Sequence, residues 1–455
     1  MSSRQDELKA QQPGEVENVD ESLYPDLMGQ FPILDAYTQL CFGFELPLDV
    51  DRDAVVSALR TGFNRLIEHI PWLGWQIGQR SGVRTAIPWP EDVARDLLYV
   101  KYCDETTQPM ADLLGAGIPI GKLDGKELTP WPALPQPHGI VGPVPVLALQ
   151  ANFIKGGLIL NLSSHHTMMD GTANFQVLKL LATVLAGDEI PAAELEQANR
   201  DRRGLIDLIP RSEALKDHSY LRRPPGYQFV FPASPPTWCY FKMPLTSLSK
   251  LAKTAQDPSR PVTEDDILHA FYWQRLCAVR LARGLPFDTV SKISRAIDGR
   301  MALGIPASYM GAQVYTAITR LPIGQVASLT LQQTAQVLRR EFSQANTAWA
   351  IRSLATIIAR EPDRSMLMYN GTHNGNTDIG ATSSLNTNQT LPPSWGHLLG
   401  PCRFFRRSIS APIPGAFVVQ SAEGGAIPIL VCLPQDDLQA LKKDSQWRQY
   451  TRCIG

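Results

Sequence analysis

The sequence has almost no excess charge of either sign and no long hydrophobic run. Its 43 Lys and Arg residues nearly balance 44 Asp and Glu residues, so no overall field attracts nucleic acid or an anionic membrane surface. No apolar stretch approaches the ~18 to 20 residues that a membrane-spanning helix needs. The first residues, MSSRQDELKAQQPGEVENVD, lack the basic region and apolar run of a signal peptide. We therefore expect a cytoplasmic protein with neither nucleic-acid nor membrane partners.

Cysteine is scarce and scattered, and several common motifs are missing. The seven cysteines lie far apart without a CxxC pair, a spacing that indicates neither a disulfide framework nor a zinc site. The sequence contains no GxSxG elbow of a serine hydrolase. It also contains neither a GxGxxG stretch nor a P-loop, which argues against phosphate binding by a glycine-rich loop.

The length and the proline distribution predict two domains. A chain of 455 residues is about two to three times the size of a usual single domain. Residues 188–240 are rich in proline and poor in periodicity, as expected of a long connection. We expect a flexible N-terminus at 1–22, a first domain at 23–187, this crossover at 188–240 and a second domain at 241–455.

Local patterns predict both helices and strands in each half, and therefore a mixed α/β fold. Apolar residues at helical spacing predict helices at 53–70, 325–342 and 345–360. The stretch VLALQANFIKGGLILNLSS predicts a β-hairpin that turns at Lys155-Gly156-Gly157. Thr263, with Asp266 three residues later, predicts a capped helix start.

The most informative stretch is NLSSHHTMMDG, residues 161–171, at a predicted strand-to-helix junction. An imidazole titrates near neutrality, so a neutral His166 is a candidate general base for a hydroxyl or an amine. If the helix already began at His166, Asp170 would lie one turn away and orient the imidazole. If the junction is a loop, Asp170 pairs instead with a distant arginine and shapes the turn. Gly171 would allow a sharp turn or a close substrate approach.

A metal site is the less favoured interpretation of the same stretch. Adjacent histidines on a strand point to opposite faces, which leaves too few ligands here. We therefore expect no metal.

Several motifs together resemble the BAHD acyltransferases, in particular the fungal branch around trichothecene 3-O-acetyltransferase. The hairpin and HHTMMDG resemble the segment that carries the HxxxDG motif of this family. FPILDAYTQL, with Leu34 and Asp35, is similar to an early Leu-x-x-x-Asp region. VTEDDILHAFYWQRLCAVR and AIDGRMALGIPASYMG resemble elements of the second half. The resemblance runs from about residue 23 to residue 445.

This resemblance implies a fold, a reaction and its partners. The fold would be two chloramphenicol-acetyltransferase-like domains, each a mixed β-sheet flanked by helices, with a channel between them. Acyl-CoA, most simply acetyl-CoA, would enter as co-substrate, and no cofactor would be bound permanently. The acceptor would be a small hydroxylated secondary metabolite or an amine. His166 would deprotonate this acceptor, which attacks the thioester directly, and the protein would act as a monomer.

The resemblance also implies roles for further residues. Asp170 would turn away from the channel and pair with Arg300, while His165 packs on the opposite side. Gly396 would keep the shape of the second family signature. Candidates that stabilise the oxyanion or line the channel are Ser383, Ser384, Trp395 and Met169, the alternative for Met169 being plain core packing. Arg275 would bind coenzyme A phosphates, the alternative being a solvated helix arginine.

Two departures from the family pattern leave other functions open. Ser394 and Trp395 stand where the family has Asp and Phe, and Leu385 stands where many relatives have Trp. One alternative is a condensation-type enzyme, whose HHxxxDG motif matches HHTMMDG and which takes its acyl group from a carrier thioester. Others are a repurposed enzyme that catalyses a cyclisation without coenzyme A, and a binding protein that retains only the channel.

Overall fold

The structure is a computed structural model that describes residues 24–455, except 81, 94, 135–139, 141, 256, 258 and 386–389. The expected flexible N-terminus, 1–22, lies outside the described residues. The strands are β1 Tyr37–Glu45, β2 Gln76–Arg80, β3 Val83–Ile87, β4 Leu98–Tyr102, β5 Val144–Pro145, β6 Leu147–Ile154, β7 Gly157–His165, β8 Pro236–Pro244, β9 Val290–Asp298, β10 Val314–Pro322, β11 Ile379–Ser383, β12 Phe404–Arg406, β13 Ala416–Val419, β14 Ala426–Pro434 and β15 Arg452–Cys453.

Helices occur in both halves of the described chain. They are α1 Arg52–His69, α2 Met110–Ala116, α3 Gly125–Leu128, α4 Gly171–Leu185, α5 Ala192–Ala198, α6 Leu245–Ala255, α7 Glu264–Ala282, α8 Arg300–Leu303, α9 Ile323–Ser328, α10 Leu331–Ala345, α11 Ala348–Arg360, α12 Gly396–Leu399, α13 Gln435–Lys443 and α14 Ser445–Tyr450. Within the described ranges, no helix combines the length and the apolar character needed to cross a membrane.

The first half is built on a five-stranded sheet in the order β12-β1-β7-β6-β4. The predicted hairpin is confirmed as β6 and β7, which pair antiparallel from Leu147 opposite Ser164 to Ile154 opposite Gly157. Gly156 supplies a positive φ of 74° in its turn, a conformation that glycine adopts without strain. Helices α1 and α4 contribute buried residues to the same apolar core as this sheet.

The second half is built on a seven-stranded sheet in the order β10-β9-β11-β13-β14-β8-β15. The predicted helix start is confirmed, because Thr263 and Asp266 form a reciprocal capping box at the beginning of α7. Buried side chains of α6, α7, α10 and α13 share one core with this sheet. The single helix predicted near 325–342 is divided into α9 and α10, because Thr330 caps a new helix start. The helix predicted at 345–360 is α11.

One segment crosses back from the second half into the first. Strand β12 pairs antiparallel with β1, with Phe405 opposite Phe42 and the two rings stacked at 5.3 Å. Trp395 and Leu399 also belong to the first core. The expected second domain at 241–455 is therefore interrupted, because these apolar side chains are buried against β1, α1 and α4.

A third core connects the two halves. It joins Leu27, Met28 and Phe31, which precede β1, to buried residues of β9, β10 and α11. Leu221 of the proline-rich crossover is buried in the same cluster. The beginning of the described chain and the crossover thus both pack across the junction near which the HHTMMDG stretch lies.

Candidate active site

The HHTMMDG stretch forms a short loop between β7, which ends at His165, and α4, which begins at Gly171. The His166 N–H donates to the Ala36 carbonyl at 2.8 Å, and the His165 N–H donates to the Val146 carbonyl at 2.9 Å. The Met168 carbonyl accepts from Arg202 at 2.8 Å. The loop is therefore fixed to the first sheet and to the crossover before the helix starts.

His166 is half-buried, and its Nδ1 is buried without a hydrogen-bond partner among the described residues. Nε2 is therefore the ring nitrogen left for an incoming group. Burial is the main cause that lowers the His166 pKa, and the positive charge of Arg407 acts in the same direction. The negative charge of Asp170 and the backbone of His166 itself oppose this shift. The net effect favours a neutral imidazole, the form that accepts a proton.

His165 faces the other side of β7 and is fully buried. Its Nε2 lies 3.3 Å from an Asp35 carboxylate oxygen, and its ring packs edge-on against Tyr37 at 5.2 Å. Arg84 also pairs with Asp35. These contacts favour a packing role for His165 and give Asp35 of the LDAYTQL stretch a structural partner.

Asp170 is the N-cap of α4 and does not orient the His166 ring within a helix. One of its carboxylate oxygens accepts from the Ala173 N–H at 2.9 Å. The two oxygens also bind the Arg300 guanidinium in a bidentate pair, at 2.8 and 2.9 Å. The Gln313 N–H donates to the same carboxylate at 2.8 Å. Since α4 begins only after Asp170, the loop alternative considered from the sequence is the one that occurs.

Arg300 joins this loop to the second half. Besides Asp170, its guanidinium binds Asp298 at 2.8 Å and the carbonyls of Tyr309 and Gly311 at 3.0 and 2.5 Å. Both Arg300 and Asp170 have side chains only 2% exposed. Arg300 lowers the Asp170 pKa, so the pair is ionised and fully hydrogen-bonded.

Of the two glycines singled out from the sequence, Gly396 has the backbone conformation that favours glycine. Gly396 has a φ of 80°, and a Cβ there would lie 2.4 Å from the Leu185 carbonyl oxygen. Gly171 is the first residue of α4 and is exposed. Its φ is not positive, so Gly171 makes no left-handed turn, and the other alternative, a close approach of substrate, stays a prediction.

Two of the expected channel residues lie in the first core instead. Trp395 is 1% exposed and packs against Phe42 and Phe44 at ring distances of 5.7 and 5.4 Å. Met169 and its neighbour Met168 are both 0% exposed in that core. Burial of this degree favours core packing for both residues, which for Met169 is one of the two alternatives considered from the sequence, and their part in a channel stays a prediction.

The two serines proposed as oxyanion donors lie at the end of β11. The Ser383 hydroxyl accepts from the Leu385 N–H at 3.2 Å and lies beside the Asp265 carboxylate, whose pKa it helps to lower. The Ser384 N–H donates to the Val419 carbonyl at 2.9 Å. Their role as oxyanion donors stays a prediction, and the described contacts of Ser383 are to the second half of the chain.

Arg275 is paired within the protein. Its guanidinium binds Asp444 in a bidentate pair at 3.0 and 2.7 Å and donates to Gln446 at 2.6 Å. These contacts anchor α7 to the start of α14. The expected binding of coenzyme A phosphates by Arg275 stays a prediction, and the geometry favours this anchoring role.

Arg407 is a residue near the candidate site that the sequence reasoning missed. It follows β12, and its charge acts on His166 as described above. Its N–H donates to the Tyr240 hydroxyl at 2.9 Å. The available signal was the pair of arginines in RFFRRS, which motif spacing did not connect to His166.

A channel that reaches His166 stays a prediction. A cavity of about 290 Å³ lies elsewhere, at the far end of the first sheet, lined by residues that include Leu46, Arg52, Asp104 and Phe153. Across the residues that the structure describes, no group of three or more His, Cys, Asp or Glu side chains is arranged to hold a metal ion.

Family models match nearly the whole described chain. Residues 36–184 match the trichothecene 3-O-acetyltransferase-like N-terminal domain, and residues 128–447 match the transferase family. O-acetyltransferase SAT5 of Stachybotrys chartarum is 35% identical over 450 residues, which are 95% of this chain and 96% of that protein. O-acyltransferase pigD of Monascus ruber is 34% identical over 451 residues, 94% of this chain and 98% of that protein.

A solved structure agrees with these sequence matches. TRI101 of F. graminearum, complexed with coenzyme A and deoxynivalenol, superposes with a TM-score of 0.87 at 26% identity, covering 95% of this chain and 99% of that one. The two halves described above thus correspond to the two-domain fold of these enzymes. The protein belongs to the BAHD-type transferase family, in its trichothecene 3-O-acetyltransferase-like branch, and is an acyltransferase.

Proposed function

We propose that this acyltransferase transfers an acyl group, most simply acetyl, from coenzyme A to a hydroxyl of a small secondary metabolite. The observation that carries the proposal is His166, a half-buried imidazole with a lowered pKa on a loop fixed by Asp170 and Arg300. A relative solved with coenzyme A and deoxynivalenol and another solved with coenzyme A and T-2 support both the donor and the class of acceptor.

In this proposal His166 acts as the general base. Its Nε2 takes the proton of the acceptor hydroxyl while the oxygen attacks the thioester carbonyl carbon. The carbon–oxygen bond forms, the carbon–sulfur bond breaks, and the imidazolium returns the proton to the sulfur of coenzyme A. A positioned base of this kind contributes ~10²- to 10⁴-fold in rate. No acyl-enzyme is required.

Asp170 and Arg300 support this step from a distance. The carboxylate is saturated by Arg300, Ala173 and Gln313, so it has no free lone pair with which to take the substrate proton. Its proposed role is to hold the loop, and with it the His166 ring, in one position. Preserved geometry of this kind matters because misplacement by about 1 Å reduces rates by ~10²-fold.

The experiment measures acyl transfer by mass spectrometry, using acetyl-CoA and a panel of hydroxylated terpenoid and polyketide acceptors. We expect wild-type protein to form an acetyl ester and His166→Ala to lose at least ~10²-fold in kcat. His397→Ala, at an exposed position on α12, serves as the matched control with unchanged activity. Transfer at a wild-type rate by His166→Ala would contradict the proposal.

The identity of the acyl donor distinguishes the condensation-type alternative from our proposal. HHTMMDG matches the HHxxxDG motif of such enzymes, which would use an acyl group on a carrier-protein phosphopantetheine. Turnover of the carrier thioester without turnover of acetyl-CoA would favour this alternative and contradict our proposal. The expected cytoplasmic location and monomeric state remain predictions.

A further inference from the structure

Two cysteines that are far apart in the sequence contact each other at one edge of the second sheet. The sulfur atoms of Cys239 and Cys453 lie 3.5 Å apart, although the residues are 214 positions apart. Both thiols are free. Cys239 is 1% exposed, whereas Cys453 is an exposed residue. The pair therefore combines a thiol in the core with a thiol on a residue that solvent reaches.

The strand register explains why the two thiols meet. Strand β15 pairs antiparallel with β8 at the edge of the seven-stranded sheet, and Cys453 lies opposite Phe241. Cys239 is two positions before Phe241 on β8, and side chains two positions apart on a strand point to the same face. The Ile454 N–H donates to the Tyr240 carbonyl at 2.9 Å. Backbone pairing thus holds both sulfur atoms on one face of β8.

A small movement is enough to bring the sulfur atoms into bonding distance. A disulfide joins its sulfur atoms at about 2.05 Å, so they must approach each other by roughly 1.5 Å. Strand β15 has only two residues and lies at the edge of its sheet. A shift of this strand therefore disturbs few hydrogen bonds.

The surroundings of Cys453 favour its thiolate form. The hydrogen bond with Cys239 is the main cause that lowers the pKa of the Cys453 thiol, and the Gly455 backbone and the positive charge of Lys442 on α13 act in the same direction. Burial opposes this shift. The same hydrogen bond raises the pKa of Cys239, so Cys239 keeps its proton and donates it to Cys453. A thiolate on an exposed residue beside a lysine is the form of cysteine that reacts with peroxides.

The other five cysteines, all of which the structure describes, lack this combination. Burial raises the pKa of each of their thiols, and none of them is exposed. They are Cys41, Cys103, Cys277 and Cys432, which are buried, and Cys402, which is half-buried. Oxidation should therefore begin at Cys453.

We propose that Cys453 and Cys239 form a reversible oxidation site for hydrogen peroxide. The Cys453 thiolate attacks one peroxide oxygen: the sulfur–oxygen bond forms, the oxygen–oxygen bond breaks, and the hydroxide that leaves is protonated by solvent. The Cys239 sulfur then attacks the sulfur of the Cys453 sulfenic acid. The disulfide bond forms, and the hydroxyl leaves as water with the Cys239 proton. Two thiols are oxidised, one peroxide is reduced to two waters, and a small thiol such as glutathione reverses the reaction.

The disulfide fixes an edge segment that contacts both halves of the chain. The Gly455 carbonyl accepts from the Ile120 N–H of the first half at 3.3 Å, and Ile454 packs against the cluster of Ile120, Tyr240 and Leu430. A cross-link between residues 214 positions apart also restricts the unfolded chain. We expect the oxidised protein to exchange the Ile454 N–H more slowly, and to melt at a higher temperature, than the reduced protein.

The experiment treats reduced, folded protein with a small molar excess of hydrogen peroxide and maps disulfides by mass spectrometry of its peptides. We expect one intramolecular link between Cys239 and Cys453, with the loss of two hydrogen atoms, that dithiothreitol removes. Cys453→Ser, at an exposed position, should fold normally and form no link. In Cys239→Ala, Cys453 should stop at the sulfenic acid, which dimedone traps. Cys402→Ser is the matched control and should keep the link.

Four results would overturn the inference. A sulfenic or sulfinic acid at Cys453 of the wild-type protein, without a link to Cys239, would show a single reactive thiol. A link that forms only in urea would show that the folded geometry does not promote the reaction. A link between the Cys453 residues of two molecules, seen as a dimer in a non-reducing gel, would assign the thiol to an intermolecular contact. Equal melting temperatures of the linked and reduced forms would refute the effect on the fold.

Discussion

The Asp170–Arg300 ion pair provides the sharpest quantitative prediction. Replacing Asp170 by Asn keeps a side-chain oxygen that can accept from the Ala173 N–H, because Asn is as good an N-cap as Asp. The change removes the negative charge that faces Arg300, and it replaces the oxygen that accepts from Arg300 and from the Gln313 N–H by an NH2 group that cannot accept. The guanidinium then stays buried against Asp298, which is 32% exposed, and against backbone carbonyls.

The size of the effect follows from burial. Both side chains are 2% exposed and joined by two hydrogen bonds. Removing one partner of such a pair costs ~3 to 5 kcal/mol, because the other charge is left uncompensated. Asp170→Ala should cost about 1 kcal/mol more, since it also removes the cap of α4. The double variant Asp170→Asn/Arg300→Met should lose less than the sum of the single losses.

The assay is urea unfolding followed by tryptophan fluorescence, with kcat measured well below the unfolding midpoint. Arg203→Met is the matched control, because the Arg203–Asp201 pair is 59% and 58% exposed and such pairs contribute at most about 1 kcal/mol. A loss for Asp170→Asn as small as that of the control would refute the reasoning, as would strictly additive losses in the double variant. The pKa of Asp170 is lowered, so the contribution is present above its usual value of 3.8 and lost as the pH falls through the folded value.

Two further predictions concern His166 and Gly396. The base must be neutral, and the His166 pKa is below its usual value of 6.5, so the acid limb of kcat/KM should have its midpoint below pH 6.5. Arg407→Met should move this limb upward, because the Arg407 charge lowers that pKa; a wild-type limb at or above pH 6.5 would contradict the assignment. Gly396→Ala should destabilise the protein by ~1 to 3 kcal/mol in thermal unfolding, because of its φ of 80° and the 2.4 Å approach to Leu185. Gly115→Ala in α2, where a Cβ meets nothing within 4 Å, should be neutral or stabilising, and equal losses for both would disprove the steric argument.

The elements predicted correctly are those that local physics determines. The β6–β7 hairpin follows from two β-rich runs around a glycine turn, and the α7 start follows from Thr263 and Asp266. Helix α11 follows from apolar spacing, whereas the same spacing did not separate α9 from α10. In each case the residues that determine the structure lie close together in the sequence, so local sequence patterns are sufficient to predict the element.

The site was predicted only in part, because residue spacing did not determine whether the HxxxD stretch is helical or a loop. HxxxD permits either a helical or a loop geometry, and the position of the α4 start decides between them. The Asp170–Arg300 pairing followed from the family resemblance and not from any local pattern, since the two residues are 130 positions apart.

Trp395 and Met169 illustrate a limit of reasoning from motif position. Both lie next to residues that shape the site, Gly396 and Asp170, so a place beside the substrate was a reasonable expectation. Adjacent residues on a strand point in different directions, however. Large apolar side chains stabilise the fold most where most of their surface is removed from water. The first core, with Phe42 and Phe44 close to Trp395, provides that burial.

The effect of Arg407 on His166 could be found only from the complete fold, because the two residues lie on segments far apart in the sequence. In the sequence, Arg406 and Arg407 are equivalent members of a basic pair. The return of β12 to the edge of β1 turns them into different groups: Glu423 neutralises Arg406, whereas the Arg407 charge reaches His166. The same crossing of residues 395–406 into the first sheet interrupts the expected second domain. This crossing also brings the charge of Arg407, from the second half of the chain, close enough to lower the pKa of His166 in the first half.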